Sequence, residues 1–379
     1  MKKKVDTLFD KISNIRNELK TYFLERDEEV DCLLTALLSK NHALLLGAPG
    51  TSKSYLTRCL TLHIQGANYF EILLTKFTTP EEIFGAFDIQ ELKNGRYVRK
   101  IDGKLPTAHI GFVDEIFKAS SSILNSLLTI INERIFHNDK PIQTPLTSLF
   151  TASNELPEDS ELNALYDRLL IRKTVEYIKL NKNLVKLLML SEYSPKTKIT
   201  LSELQEILKA VEKVDVSNII DPLLNIRSKL KEEGIQVSDR RLRSSISVIK
   251  AYAFLNSKTV ATEDDLEILQ YVFWEDPEQI NKVSEITLKV SNPYTRKASQ
   301  LMGVIEDLRK DIEALSKTGE VTQELMKKYS EIVKVYKELN KKIDEAKKLN
   351  KNVEPLLKVK SATAELKEFV EKEVLGIEV

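Results

Sequence analysis

Gly47-Ala48-Pro49-Gly50-Thr51-Ser52-Lys53-Ser54 follows the apolar run Ala43 to Leu46 and opens onto Tyr55-Leu56. Two glycines, a lysine and a hydroxyl at this spacing make a phosphate-binding loop, in which backbone N–H groups cradle phosphates and the lysine reaches the β- and γ-phosphates. Gly47 through Tyr55 are therefore candidate nucleotide contacts, and the Ser54 hydroxyl is also a candidate ligand for Mg²⁺. The usual pattern, G-x-x-x-x-G-K-[ST], has glycine where this chain has Ser52. A position just inside a helix start accepts right-handed dihedrals with any small residue, so Ser52 is expected to sit there in a right-handed conformation.

About sixty residues on, Ile110-Gly111-Phe112-Val113-Asp114-Glu115 is an apolar strand ending in two acids. One reading makes them helix N-terminal acids that favour the dipole. The other is the metal-plus-base arrangement of phosphoryl transfer, with Asp114 holding hydrated Mg²⁺ and Glu115 polarising the attacking water. Leu146 to Ala152 is a further strand, ending at Ser153-Asn154. An uncharged amide at Asn154 can orient water without competing for the metal, although a strand-terminal turn residue looks the same in sequence.

The elements that must position these groups follow from periodicity. Leu8, Ile12, Ile15, Leu19 and Phe23, then Val30, Leu33, Leu34, Leu37 and Leu38, form two helical apolar stripes before the loop. Short apolar runs then alternate with helical stretches, at Ala43 to Leu46, Tyr69 to Leu74, Ile110 to Val113 and Leu146 to Ala152. That alternation predicts an α/β layer fold with a parallel sheet. Two polar-tipped excursions interrupt it, near Phe84 to Pro106 with a turn signal at Lys93-Asn94-Gly95-Arg96, and near Phe136 to Pro145. The predicted divisions are an α/β core with its N-terminal helix over 1–180, an all-helical lid over 181–293, and a C-terminal coiled-coil-like helical hairpin over 294–379. In that hairpin Thr318-Gly319 breaks the helix, Pro355 ends the pair, and a short helix covers Ala362 to Val374.

Composition excludes several classes. The 379-residue chain has 57 basic and 57 acidic residues, so no global field argues for nucleic acid. Cys32 and Cys59 lie inside helical patterns and read as buried thiols. No run reaches the ~18 apolar residues of a membrane span, and no signal peptide is recognisable, so a soluble cytoplasmic protein is expected. His42, His63, His109 and His137 are scattered, with no metal-ligand spacing.

Together these motifs resemble the MoxR family of AAA+ ATPases, and within it the RavA-like subgroup. Besides the phosphate loop, the resemblance rests on Lys76 to Gly85, the Asp114-Glu115 strand, Leu127 to Arg134, Ala152-Ser153-Asn154-Glu155-Leu156-Pro157, Ala164-Leu165-Tyr166-Asp167-Arg168, Val237-Ser238-Asp239-Arg240-Arg241 and Phe273-Trp274. It covers roughly residues 5 to 285, and the helices after about Tyr294 lie outside it. The resemblance implies a P-loop core with a helix-2 insert, a second hairpin and a helical lid, with ATP/ADP and Mg²⁺ bound. It makes Arg168 an arginine finger offered to a neighbouring subunit, and Arg240 the lid arginine that reports nucleotide state, with Arg241 as the runner-up for that role and a further nucleotide contact. Arg172 and Lys173 would assist at the interface, and Leu24 to Asp27 would border the adenine.

A finger supplied in trans requires head-to-tail subunits, and the family implies a hexameric ring. The implied activity is ATP hydrolysis coupled to chaperone-like remodelling of a protein client, with a partner that bears a von Willebrand factor A domain. A nucleotide-dependent scaffold with slow turnover is the alternative. A nucleic-acid motor ranks third and would use Lys93, Arg96, Arg99 and Lys100 at the first excursion.

Overall fold

The computed structural model describes residues 2–157, 160–316, 323–349 and 351–374. Helix α1 (Lys2–Tyr22) buries its Leu8, Ile12, Ile15 and Leu19 stripe, and α2 (Asp27–Leu38) comes next with three acids in its first turn, where they favour the helix dipole. Five strands then form one parallel sheet: β1 (Ala43–Leu46), β2 (Tyr69–Leu73), β3 (Ile110–Asp114), β4 (Ser148–Ser153) and β5 (Ile171–Thr174), in the order β2-β3-β4-β1-β5. β1 and β4 are buried along their whole lengths, as strands covered on both faces must be.

Because every pair is parallel, all five strands end at one edge of the sheet. β1 therefore delivers the phosphate loop, β3 delivers Asp114 and Glu115, and β4 delivers Asn154 to the same side. Helix α3 (Lys53–Leu62) leaves directly from the loop.

The second excursion is the expected antiparallel hairpin, Ile135–Asn138 with Lys140–Gln143, turning at Asp139 with φ +60°. The first is not a hairpin. Asp88 caps a short helix, Ile89–Lys93, through Gln90 N–H, and Phe87 with Arg99 form only an isolated bridge. Three of its cations are paired: Arg96 with Glu91, Arg99 with Glu81 and Lys100 with Asp88.

The chain divides into two compact units. One comprises Met1–Asn218, Gln236–Thr262 and Tyr271–Glu275, and so holds the sheet together with the helix Asp239–Leu255. The other comprises Ile219–Ile235, Glu263–Gln270 and Asp276–Val379, and its described elements are helical. Within the second unit, Pro293–Ser316, Gln323–Lys348 and Glu354–Phe369 pack around Leu301, Ile305, Ile312, Ile332, Leu339 and Leu356. The predicted hairpin thus carries a third helix, which starts at Glu354 rather than near Ala362. Pro355 occupies its first turn, where a missing N–H costs nothing, so it opens this helix as well as closing the hairpin. The predicted Thr318-Gly319 break lies outside the described residues.

Candidate active site

Backbone demands fix the loop. A Cβ on Gly47 would stand 2.2 Å from the carbonyl oxygen of Val175, and Gly50 has φ +78°, so both positions call for glycine. Ser52 departs from expectation: it caps α3 in the left-handed conformation, φ 65° and ψ 23°, not the right-handed one. The glycine of the general pattern is thus a conformational requirement that this chain meets with a strained serine, at a cost of roughly 1–2 kcal/mol.

Lys53 is buried, and its Nζ donates to the carbonyls of Gly47 at 2.6 Å and Ala48 at 2.8 Å, bracing the loop from inside. Burial pushes its pKa down, against the opposing pull of Asp114 and Glu115. Burial pushes the Asp114 carboxyl up, although its Oδ1 accepts the Glu115 N–H at 3.0 Å. Glu115 stands in the left-handed region at φ 54°, which turns its side chain off the strand. Its Oε1 accepts from Asn154 Nδ2 at 2.6 Å, and its Oε2 lies 3.2 Å from Lys118 Nζ.

The donor set suits a magnesium-bound nucleoside triphosphate. The cradle at Gly47 has no room for a side chain; Lys53 would supply the cation, and Ser54 and Asp114 would supply the oxygens. Among the described residues no cluster of three or more His, Cys, Asp or Glu is placed to hold a metal.

The three arginines lie at the other end of the sheet. Arg168 ends the helix Ser160–Arg168, just ahead of β5, and its Nε donates to Asn132 Oδ1 at 2.7 Å. Arg168, Arg240, Arg241 and Asp167 line one cleft of about 270 Å³ with Lys40, at the start of β1. The three residue steps of β1 set this edge about 10 Å of strand away from the phosphate loop. Asp167 joins the group, 3.6 Å from Arg240 Nη1 and 3.9 Å from Arg241 Nη1. Burial lowers the Arg168 pKa, and the charge of Arg240 adds to that effect.

Arg240 and Arg241, adjacent in sequence, differ in place. The Arg240 side chain is 62 % exposed, whereas Arg241 is 1 % exposed. Arg241 Nε donates to the Val272 carbonyl at 2.8 Å, and Nη2 reaches those of Leu169 and Leu170 at 3.4 Å. Arg241 is built into the core, and Arg240 is the member of the pair that a ligand can reach. Arg172 is likewise interior rather than at a surface: it donates to the carbonyls of Trp274 and Tyr166 at 2.7 Å and lies over the Tyr166 ring. Lys173 pairs with Glu28 at 2.6 Å.

Around the loop, the Tyr55 side chain belongs to an aromatic cluster with Tyr22, Phe23 and Tyr193. In the segment Leu24 to Asp27, Glu25 accepts from the N–H groups of Lys179 and Leu180, and Arg26 donates to the Glu176 carbonyl. Two site residues escaped sequence reasoning. Lys118 lies one turn beyond Glu115, and Tyr177 Oη donates to Pro49 O at 3.1 Å; only the first stood close enough in sequence to be suspected.

Comparison with known proteins gives the family. Residues 10–213 match the MoxR domain of the MoxR-vWA-beta-propeller ternary systems, and residues 218–287 match an AAA lid domain. An uncharacterized protein of Methanocaldococcus jannaschii is 48 % identical over 325 residues, which cover 84 % of this chain and 85 % of the relative. The chaperone MoxR1 of Mycobacterium tuberculosis is 29 % identical over 119 residues, 31 % of this chain and 30 % of that one. Among solved structures, a candidate ATPase of Cytophaga hutchinsonii superposes with a TM-score of 0.62 at 17 % identity, over 77 % of this chain and 97 % of its own, a likeness of fold. With its phosphate loop, acid-tipped β3 and lid, the chain belongs to the MoxR family of AAA+ ATPases.

Proposed function

We propose that this chain is an ATP-hydrolysing subunit of a head-to-tail ring, hexameric as in its family, that remodels a protein client together with a von Willebrand factor A domain partner. Residues 1–180 would bind the nucleotide, 181–293 would form the lid and 294–379 the adaptor. One observation carries the reading: the phosphate loop, Asp114, Glu115 and Asn154 stand at one edge of the sheet, while Arg168 and Arg240 stand at the other. A site that needs all of them takes its arginines from a second copy.

In this mechanism the loop amides and Lys53 hold the β- and γ-phosphates, and Ser54 and Asp114 would hold Mg²⁺. The metal supplies charge neutralisation on the phosphate oxygens. Glu115 polarises the attacking water and accepts its proton, while Asn154 orients the Glu115 carboxylate. Arg168 of the next subunit meets the charge that develops on the γ-phosphate, and Arg240 stands beside it.

Mixing two inactive variants tests this. Glu115→Gln and Arg168→Ala should each abolish phosphate release alone. Random co-assembly restores competent interfaces at about a quarter of all sites, because a Glu115→Gln subunit lends its Arg168 to a neighbour with an intact base. Mixtures that stay silent would sink the trans arrangement. A slow-turnover scaffold is the second reading, favoured by the engagement of both Glu115 oxygens, with Asn154 and Lys118. Nucleotide-dependent assembly without phosphate release would select it.

A further inference from the structure

The helix Asn181–Leu188 and the two residues after it break the usual rule of surfaces. Leu184, Val185, Leu187, Leu188, Met189 and Leu190 are all exposed, Leu188 by 83 % and Met189 by 82 %, and no residue of the helix is buried. A contiguous apolar surface of this kind marks an interaction site.

The segment is held in place. Glu25 accepts the N–H groups of Lys179 at 2.8 Å and Leu180 at 3.0 Å and the Asn183 amide at 2.8 Å, and Tyr22 Oη donates to the Ser191 carbonyl at 2.8 Å beyond the helix. A surface fixed at both ends is preorganised for a partner. Its position says which partner. The segment comes after β5 at the edge of the phosphate loop, where Val175 N–H donates to Leu46 O and Tyr177 touches Pro49.

On the Arg168 side lies a recess whose floor residues Leu38, Leu208 and Val211 are buried. A cavity of about 380 Å³ is lined by Leu38, Leu208, Val211 and Ile246, with Lys40 and Glu212 at its rim. Lys40 also lines the Arg168 cleft, and Arg240 and Ile246 share the helix Asp239–Leu255, so the cavity continues the arginine face.

We infer that Leu184 to Leu190 of one copy seats in the Leu38–Leu208–Val211–Ile246 cavity of the next, as the apolar half of the subunit interface. The inference rests on the ring reading above, since only a head-to-tail contact brings the phosphate-loop edge of one copy to the arginine edge of another. Besides the Lys40–Glu212 pair, the cavity lining includes Arg243 and Lys250, and the helix carries Lys182 and Lys186, so cations predominate on both sides. Apolar burial, not charge, drives the contact, and raised ionic strength leaves it intact or strengthens it.

The test measures the mass of the full-length chain against concentration, with a non-hydrolysable ATP analogue. Leu188→Glu with Met189→Glu, and separately Ile246→Glu, should raise the concentration for half-assembly at least about ten-fold, with analogue binding to the dispersed chain unchanged. Assembly of both variants at the wild-type concentration overturns the seat while leaving the ring reading standing. A wild-type chain that stays single with the analogue overturns the ring reading, and the seat with it. To guard against misfolding of the Ile246 variant, Leu188→Cys and Ile246→Cys chains are mixed under mild oxidant. The native Cys32 and Cys59 are buried, so a nucleotide-dependent cross-link between the two variants supports the seat, and its absence from intact rings overturns it.

Discussion

Asn154 Nδ2 donates to Glu115 Oε1 at 2.6 Å, joining the ends of β4 and β3 by a side-chain bond across the mouth of the site. In the proposed mechanism Asn154 is a positioning residue, because its visible partner is the proposed base Glu115. Asn154→Ala should lower kcat by about 10- to 100-fold, the effect of one lost orienting bond of roughly 1.4–2.7 kcal/mol, with nucleotide affinity near wild type. Glu115→Gln keeps an acceptor for Asn154 but removes the base, so a loss of about 10²- to 10⁴-fold is expected. Single-turnover phosphate release beside equilibrium nucleotide binding separates the two, and an Asn154→Ala defect in affinity alone would refute the positioning role.

Arg240 and Arg241 make opposite predictions. Arg241→Ala leaves a buried gap and strands the carbonyls of Val272, Leu169 and Leu170, so a loss of about 3–5 kcal/mol in unfolding free energy is expected. Arg240→Ala touches an exposed pair with Asp167 and should cost under about 1 kcal/mol. Its turnover in the assembled state should nevertheless fall at least about ten-fold, if it meets phosphate across the interface. Urea titration and phosphate release, run on both variants, decide this, and equal destabilisation would contradict the division of labour.

Burial disfavours the ionised Asp114 carboxylate, and the nearby Lys53 charge offsets this only in part. The Asp114 pKa is raised by burial, so folding favours its protonated form, and the penalty for ionising it appears as pH rises above the unfolded carboxyl value near 3.9. Asp114→Asn should therefore raise the melting temperature of the nucleotide-free protein at pH 7, with no gain below about pH 3.9, while magnesium-dependent nucleotide affinity is lost. Thermal melts at the two pH values check the sign.

Much of this site was legible because the chemistry sits at the ends of apolar runs. Ala43 to Leu46 and Ile110 to Val113 announce buried strands, and each runs directly into functional residues, the phosphate loop in one case and the acid pair in the other. β5 was not legible, since Arg172 and Lys173 interrupt its pattern; the interior accepts Arg172 only because the carbonyls of Tyr166, Leu169 and Trp274 and the Tyr166 ring satisfy it. The same limit applied to Arg240 and Arg241, whose order in the chain carries no record of which one turns inward. A first excursion rich in turn residues became a capped helix because Asp88 found the Gln90 N–H, a local choice that composition leaves open.

Ser52 is where pattern and conformation disagree most usefully. Replacing it with glycine removes a left-handed penalty of roughly 1–2 kcal/mol but restores about 0.5–1 kcal/mol of extra unfolded-state entropy. Ser52→Gly should therefore stabilise the chain by up to about 1.5 kcal/mol, and Ser52→Val, whose branched side chain tolerates φ +65° worse, should destabilise it. Urea unfolding of the three chains ranks them, and a valine variant as stable as wild type would show that the loop relaxes out of the left-handed region.

His42 sets the acid limit of the core. Its Nδ1 accepts the Leu149 N–H at 2.9 Å, and full burial, with Arg134 nearby, lowers its pKa to about 3. The folded chain thus holds this ring neutral, whereas the unfolded chain protonates it below about 6.5, so stability present at pH 7 is lost as pH falls from there toward 3. Between pH 7 and pH 5 the loss from this residue is about 2 kcal/mol. His63 is shifted in the same direction and adds to the trend, so the wild-type slope alone does not isolate His42. His42→Asn retains an acceptor for Leu149 N–H but cannot titrate. Unfolding free energies measured at pH 7 and pH 5 should fall less for the variant than for wild type, by about that 2 kcal/mol. Equal slopes would mean that the ring titrates in the folded protein much as it does in the unfolded chain.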